Sequence, residues 1–211
     1  MKKRNTKQAI LDKALELFST SGYDGATVED IAAAVGIKAA SLYKHYKGKQ
    51  HIFDSILEKS VDGYREQMEK FGVDGFDYKK DLARYANMKL ETLINTGTSL
   101  FLYFLHDETA RKLRRMLTIE QYKNPVASKL FTEQYIDDPL DYQGALFKAF
   151  IGQGAMKNID FDIAAAHFYA PVYLMLCLCD NRPEQEPGAL DFIRRHITQF
   201  GSLYMQAEDR L

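Results

Sequence analysis

Apolar side chains recur along this chain with the period of a helix. Ile10, Leu11, Ala14, Leu15, Leu17 and Phe18 lie one helical turn apart in pairs, with polar residues on the opposite face, which predicts an amphipathic helix. Val28, Ile31, Ala32 and Val35 repeat the pattern over two turns. Near the C-terminus Leu190, Ile193, Ile197, Phe200 and Tyr204 form a narrow seam close to 3.5-residue spacing. Breaks are predicted at Gly22 to Gly25, Gly72 to Gly75, Asn95 to Ser99, Asn124-Pro125, Asp138-Pro139, Asn158 to Asp160 and Asn181 to Gly188. Leu100 to Leu105 and Leu174 to Cys179 could pass for buried strands on composition, but no period-2 segment or hairpin dipeptide accompanies them. The fold class predicted is all-α, with roughly nine to eleven helices of ordinary length.

Residues 27–46, TVEDIAAAVGIKAASLYKHY, carry the most information. Thr27 is a good N-cap, with Asp30 three residues on as a short capping-box partner. Gly36 falls where the helix that follows should end on a left-handed residue. Val35-Gly36-Ile37 then feeds a second short helix from about Lys38 to His45, held inward by Leu42 and Tyr46. Two short helices joined by a tight glycine-containing turn form a helix-turn-helix. Ala32 is small enough for a close crossing. The packing leaves Lys38, Ala39, Ala40, Ser41, Tyr43 and Lys44 outside, a set of donors and small side chains suited to a major groove. A solvated basic face on an ordinary helical hairpin is the plainer alternative.

Charge sharpens this picture. The 211 residues carry a net charge of −1, yet residues 1–50 hold nine basic and five acidic side chains. That is +4 for the first 50 residues, against 19 basic and 24 acidic, or −5, for the rest. A hydrophobic content of 46% with 27% charged residues is that of a globular protein. Cys177 and Cys179 are two apart, where helical geometry points them to different faces, which fits a reduced, cytoplasmic protein. The basic start MKKRNTKQ leads into an amphipathic segment and is a poor secretory signal. The apolar run Ala164 to Cys179 spans 16 residues. That is short of the ~20 that cross a bilayer, so a buried helix is expected and no membrane partner.

From Ala9 to Phe53 the chain resembles the N-terminal DNA-binding region of the tetracycline-repressor (TetR) family. Ala14, Leu17, Phe18, Gly22, Tyr23, Thr27, Ile31, Ala32, Gly36, Leu42, Tyr43, Tyr46, Lys47 and Lys49 fall where the family's pattern puts such types. The resemblance implies that Thr27 caps its helix and touches a phosphate, that Lys38, Ala39, Ala40 and Lys44 face base edges, and that Ser41 and Tyr43 bond phosphates. Lys49 would clamp a phosphate, and His45 would support the recognition helix. Lys2, Lys3 and Arg4 could add a basic arm. Lys38 stands where the family often has Ser, and Ala40 where it often has Gly.

The family implies domains at 1–50, for DNA, and 51–211, for effector binding and dimerisation, joined by a long helix from about Gln50 to Phe71. It implies a one-component regulator, with repression the expected sign, that binds a palindromic double-stranded DNA operator as a homodimer and responds to an apolar or aromatic small molecule. Tyr64, Met68, Met88, Phe104, Met116, Tyr122, Phe147, Phe150 and Tyr169 are candidate pocket residues, although core packing explains each of them more simply. Phe168, Val172, Leu176, Ile193, Ile197, Phe200 and Tyr204 are candidates for a four-helix dimer interface. Pro171 predicts a kink in its helix.

No catalytic motif, metal set or cofactor is expected: nucleotide-binding glycine loops, G-x-S-x-G and H-E-x-x-H are missing, and Cys177-Leu178-Cys179 has the wrong spacing for zinc. His106-Asp107-Glu108 reads as a solvated helix end, and His167 as a satisfied core or interface histidine. The rival function is a helical small-molecule-binding or protein-interaction module that does not regulate transcription directly.

Overall fold

Eleven α-helices make up most of the described residues, which in this computed structural model are 5–70, 74, 77–86 and 89–206, without the side chains of 61–67, 69–70, 83, 84 and 86. They are α1 (Thr6–Ser21), α2 (Val28–Val35), α3 (Ala39–Leu42), α4 (Lys49–Lys70), α5 (Tyr78–Ala86), α6 (Leu90–His106), α7 (Glu108–Glu120), α8 (Pro125–Thr132), α9 (Asp138–Gly152), α10 (Phe161–Asn181) and α11 (Glu186–Tyr204). A π-helical turn, Glu133–Asp137, leads into α9, and a 3₁₀ turn, Pro183–Gln185, leads into α11. The all-α expectation is met.

The helices fall into two compact units. The first takes residues 1–64 together with 108–133, and the second takes 65–107 and 134–211. Helices α7 and α8 thus group with the N-terminal helices in the first unit. In the first unit α1 packs on α2 and α7, burying Ile10, Leu11, Ala14 and Phe18 together with Ile31, Ala32, Leu113, Met116 and Leu117. Phe18, Tyr23 and Phe53 close this core with ring centroids 5.2–5.7 Å apart. In the second unit α10 packs on α6, α9 and α11. Its core has two lobes: Phe101, Leu105, Leu176, Ile193 and Ile197 in one, and Phe147, Phe150, Ala164, Ala165 and Phe200 in the other.

Most helix starts follow from single residues. Asn5, Asn124 and Asp160 accept amide protons at the starts of α1, α8 and α10, and Pro125 and Pro139 occupy first turns, where a missing N–H is harmless. The break predicted at Asn95 to Ser99 does not occur, because α6 runs through it. Gly97 serves packing instead: a Cβ there would meet the Ile197 Cδ1 at 2.8 Å, so the glycine lets α6 and α11 approach closely.

Candidate nucleic-acid interface

The helix-turn-helix is assembled as its sequence predicts. At the start of α2 the Thr27 Oγ1 accepts the Asp30 amide at 3.1 Å, while Asp30 Oδ2 accepts the Thr27 amide at 2.9 Å and its hydroxyl at 2.5 Å. These bonds hold the Asp30 carboxyl below the usual carboxylate range, the Thr27 side chain contributing most. At the other end Gly36 adopts φ +77°, and Ile37 N–H donates across it to the Ala32 carbonyl at 2.9 Å. Ile31, Ala32, Val35 and Leu42 bury the crossing, with Ile37 half-buried.

The second helix is shorter than expected. Ala39–Leu42 makes one α-helical turn, and Lys44 and His45 then donate to carbonyls three residues back, tightening the chain before Tyr46. Lys38 caps α3 without a side-chain bond, the consequence of lacking a hydroxyl there. Lys38, Ala40, Tyr43, Lys44 and His45 are exposed, and Ala39 and Ser41 half-buried. Tyr43 is 54% exposed, high for so large an aromatic.

Two expected phosphate contacts have other partners. Thr27 commits both its amide and its hydroxyl proton to Asp30, so its role is the cap, and a phosphate would compete with a carboxylate for that hydroxyl. Lys49 donates to the carbonyls of Tyr23 at 2.8 Å and Ala26 at 2.9 Å, with its ammonium 4.1 Å from the centre of the Tyr23 ring. It ties α4 to the α1–α2 loop, leaving one of three ammonium protons for another acceptor. One element of this unit escaped sequence reasoning. Glu120, buried at the end of α7, accepts the Tyr23 amide at 2.8 Å, across a sequence separation that no local pattern can reveal. The side chains of Lys2, Lys3 and Arg4 lie outside the described residues.

Of the nine pocket candidates seven have described side chains, two in the first unit and five in the second. The Tyr64 side chain and Met88 lie outside the described residues. Met116 is fully buried in the first unit and Tyr122, also there, is 88% exposed. Phe147 and Phe150 belong to one lobe of the second unit and Phe104 packs on the other, while Met68 is buried on α4. Tyr169 donates to the Tyr135 carbonyl at 2.9 Å, bonding α10 to the π-helical turn.

The dimer candidates lie as follows within the chain. Leu176, Ile193, Ile197 and Phe200 are buried within their own chain, and Phe168, Val172 and Tyr204 pack on the same core. The opposite face of α10 is the free one: Ile163, His167, Ala170 and Leu174, spaced at i, i+4, i+7 and i+11, are exposed. Only 17% of the most apolar 18-residue window of this helix is buried. At 21 residues α10 is long and apolar enough to cross a membrane by length and composition, where the run Ala164 to Cys179 looked too short. His167 bonds Tyr204 Oη through Nδ1 at 2.7 Å on the edge of that face.

Among the described residues no group of three or more His, Cys, Asp or Glu side chains is placed to hold a metal. His106 Nε2 instead pairs with Glu186 Oε1 at 3.0 Å.

Residues 10–56 match the family model of bacterial regulatory proteins of the tetR family. The biofilm operon icaADBC HTH-type negative transcriptional regulator IcaR of Staphylococcus epidermidis is 39% identical over 74 residues, which is 33% of this chain and 40% of that protein. Over the whole length, a tetR-family transcriptional regulator from Mesorhizobium loti has the same fold, with a TM-score of 0.68, 17% identity and coverage of 98% of this chain and 100% of the other. So does the complex of SmeT with triclosan, with a TM-score of 0.64, 21% identity and coverage of 97% and 93%. SmeT is the repressor of the Stenotrophomonas maltophilia multidrug efflux pump SmeDEF. The helix-turn-helix segment of this chain thus matches the tetR family of bacterial regulatory proteins, and the chain as a whole shares the fold of the solved structures named above.

Proposed function

We propose that the protein is a cytoplasmic transcriptional repressor that binds a palindromic operator as a homodimer and is modulated by a small molecule. The observation that carries this reading is the exposed run Lys38 to His45 on a capped helix-turn-helix whose sequence matches a family of regulators. An inserted Lys38 to Lys44 segment would bring Lys38, Ala39, Ala40 and Lys44 to base edges, with Ser41 and Tyr43 on the flanking phosphates. Repression is supported by IcaR and SmeT, both negative regulators by description.

The DNA-binding part would be residues 1–50, and 51–211 would supply effector binding and dimerisation, with 108–133 packed beside the head. A second copy of the chain suits the exposed face of α10, because Ile163, Ala170 and Leu174 gain most by leaving water together. Two-fold symmetry then calls for operator half-sites ~34–36 Å apart. An apolar or aromatic effector is supported by the triclosan complex of SmeT and by the many aromatic side chains of the second unit. A coupling of ~1–3 kcal/mol between effector and operator is the usual scale.

Selection of random and genomic duplexes on the purified protein tests the reading, with Tyr43→Ala and Lys44→Ala alongside. An enriched palindrome lost in both variants supports it. No enrichment, even with cell extract added to supply a missing effector, favours the protein-interaction module instead.

A further inference from the structure

We propose that Glu120 is a positioning residue for the recognition surface, acting from α7 on the loop between α1 and α2. It rests on the DNA-binding reading above. The Glu120 side chain is 2% exposed, and Oε1 takes the Tyr23 amide proton at 2.8 Å. Tyr23 is the first residue beyond Gly22, which ends α1 at φ +71° and leaves no room for a side chain: a Cβ there would stand 2.9 Å from the same Glu120 oxygen. Glutamate and bare backbone are thus fitted to each other.

From Tyr23 the connection runs into every part of the recognition unit. The Tyr23 carbonyl receives the Lys49 ammonium, which also bonds the Ala26 carbonyl, and Ala26 precedes the Thr27 cap of α2. Lys49 begins α4, and Tyr23's ring packs on Phe18 of α1 and Phe53 of α4. One carboxylate on α7 therefore fixes the loop at which α1, α2 and α4 meet, and α2 in turn holds α3 through the buried crossing. Glu120 closes α7, and its carboxylate abuts Gly22 at the end of α1. What the carboxylate supplies is an acceptor at one fixed point.

The test compares two substitutions of similar volume in the full chain: Glu120→Gln keeps a side-chain acceptor for the Tyr23 amide, and Glu120→Met removes it. Affinity is measured for the duplex that wild-type protein enriches from a random library and for a scrambled duplex of equal length, and amide exchange is followed at Tyr23 and from Lys38 to His45. The expected result for Met is a loss on the order of tenfold in preference for the selected duplex and exchange at Tyr23 faster on the order of tenfold, with Gln within about twofold of wild type in both. A Met variant that keeps its preference overturns the proposal, as does a Gln variant as impaired as Met. A Met variant that fails to fold while Gln folds makes Glu120 a stability residue and likewise overturns it. If wild-type protein prefers no duplex, the DNA-binding reading fails by itself. Exchange from Lys38 to His45 then decides alone: faster in Met but not in Gln upholds the positioning role, and equal rates reject it.

Discussion

Single residues at the ends of α2 set the angle at which α3 is offered, and their chemistry predicts how it is lost. Asp30 is held below the ordinary carboxylate range by the Thr27 hydroxyl and amide. A carboxyl lowered in the folded state contributes stability that is present above its unfolded value and disappears as pH falls through the folded one. Asp30→Asn should therefore lower the urea midpoint at neutral pH, and the gap from wild type should narrow only in acid, as pH falls below the ordinary carboxylate range and through the depressed folded value of Asp30. A gap that stays constant across the titration would refute the capping account. Thr27→Ala, which removes the other half of the box, is expected to cost ~1 kcal/mol at neutral pH. Gly36 tests the opposite end. Its φ of +77° faces open space, so an alanine there meets no neighbour and pays only the left-handed backbone strain, ~1–2 kcal/mol in urea unfolding. The residues responsible were legible in the sequence because caps and left-handed turns are local: Thr27, Asp30 and Gly36 act within four positions of themselves. Lys49 and Glu120 were not, because their partners are carbonyls and amides, which every residue carries and no spacing marks.

At the scale of helices, α10 shows where pattern reading stops. Ala164, Ala165, Leu176 and Cys179 on one side and Ile163, Ala170 and Leu174 on the other are all apolar, so periodicity has no polar face from which to tell inside from outside. Only the packing of α6, α9 and α11 settles it. The same ambiguity holds for α11, whose narrow seam of Ile193, Ile197 and Phe200 suits a dimer coil by its spacing and packs in the intrachain core. The two faces predict opposite phenotypes. Leu174→Glu, on the free face, should leave the thermal midpoint at low concentration nearly unchanged and shift sedimentation from dimer toward monomer. Ile193→Ala, fully buried, should cost ~2–5 kcal/mol of stability through the cavity it opens. A Leu174→Glu protein that sediments as wild type would move the proposed dimer away from α10.

For the molecule as a whole, the consequential observation is that the unit holding the helix-turn-helix, the head, is not a continuous stretch of chain. Its core includes α7, which arrives more than forty residues after the head's own last residues, and a composition shift near residue 50 cannot show that return. Across this contact Lys112 lies 3.7 Å from Glu16, Lys123 lies 3.7 Å from Asp24, and Glu120 holds the Tyr23 amide. The Lys123–Asp24 pair is exposed, and at 3.7 Å both pairs are long, so they contribute little. The apolar side of α7 decides the balance: Leu113, Met116 and Leu117 are buried with α1, and each fully buried side chain of this size is worth ~1.5–3 kcal/mol. Removing all three takes away about as much as the whole stability of a small domain, 5–15 kcal/mol at most sizes and nearer the lower limit for a short chain. A fragment of residues 1–64 should consequently lose cooperative thermal unfolding, and amides of α1 that face α7 should exchange at rates close to those of an open chain. The same amides in full-length protein should be protected to the level of the core. If the fragment instead melts in a single sharp transition within a few degrees of the full chain's head, α7 is an ornament on a self-sufficient helix-turn-helix, and the head's dependence on residues 108–133 is rejected.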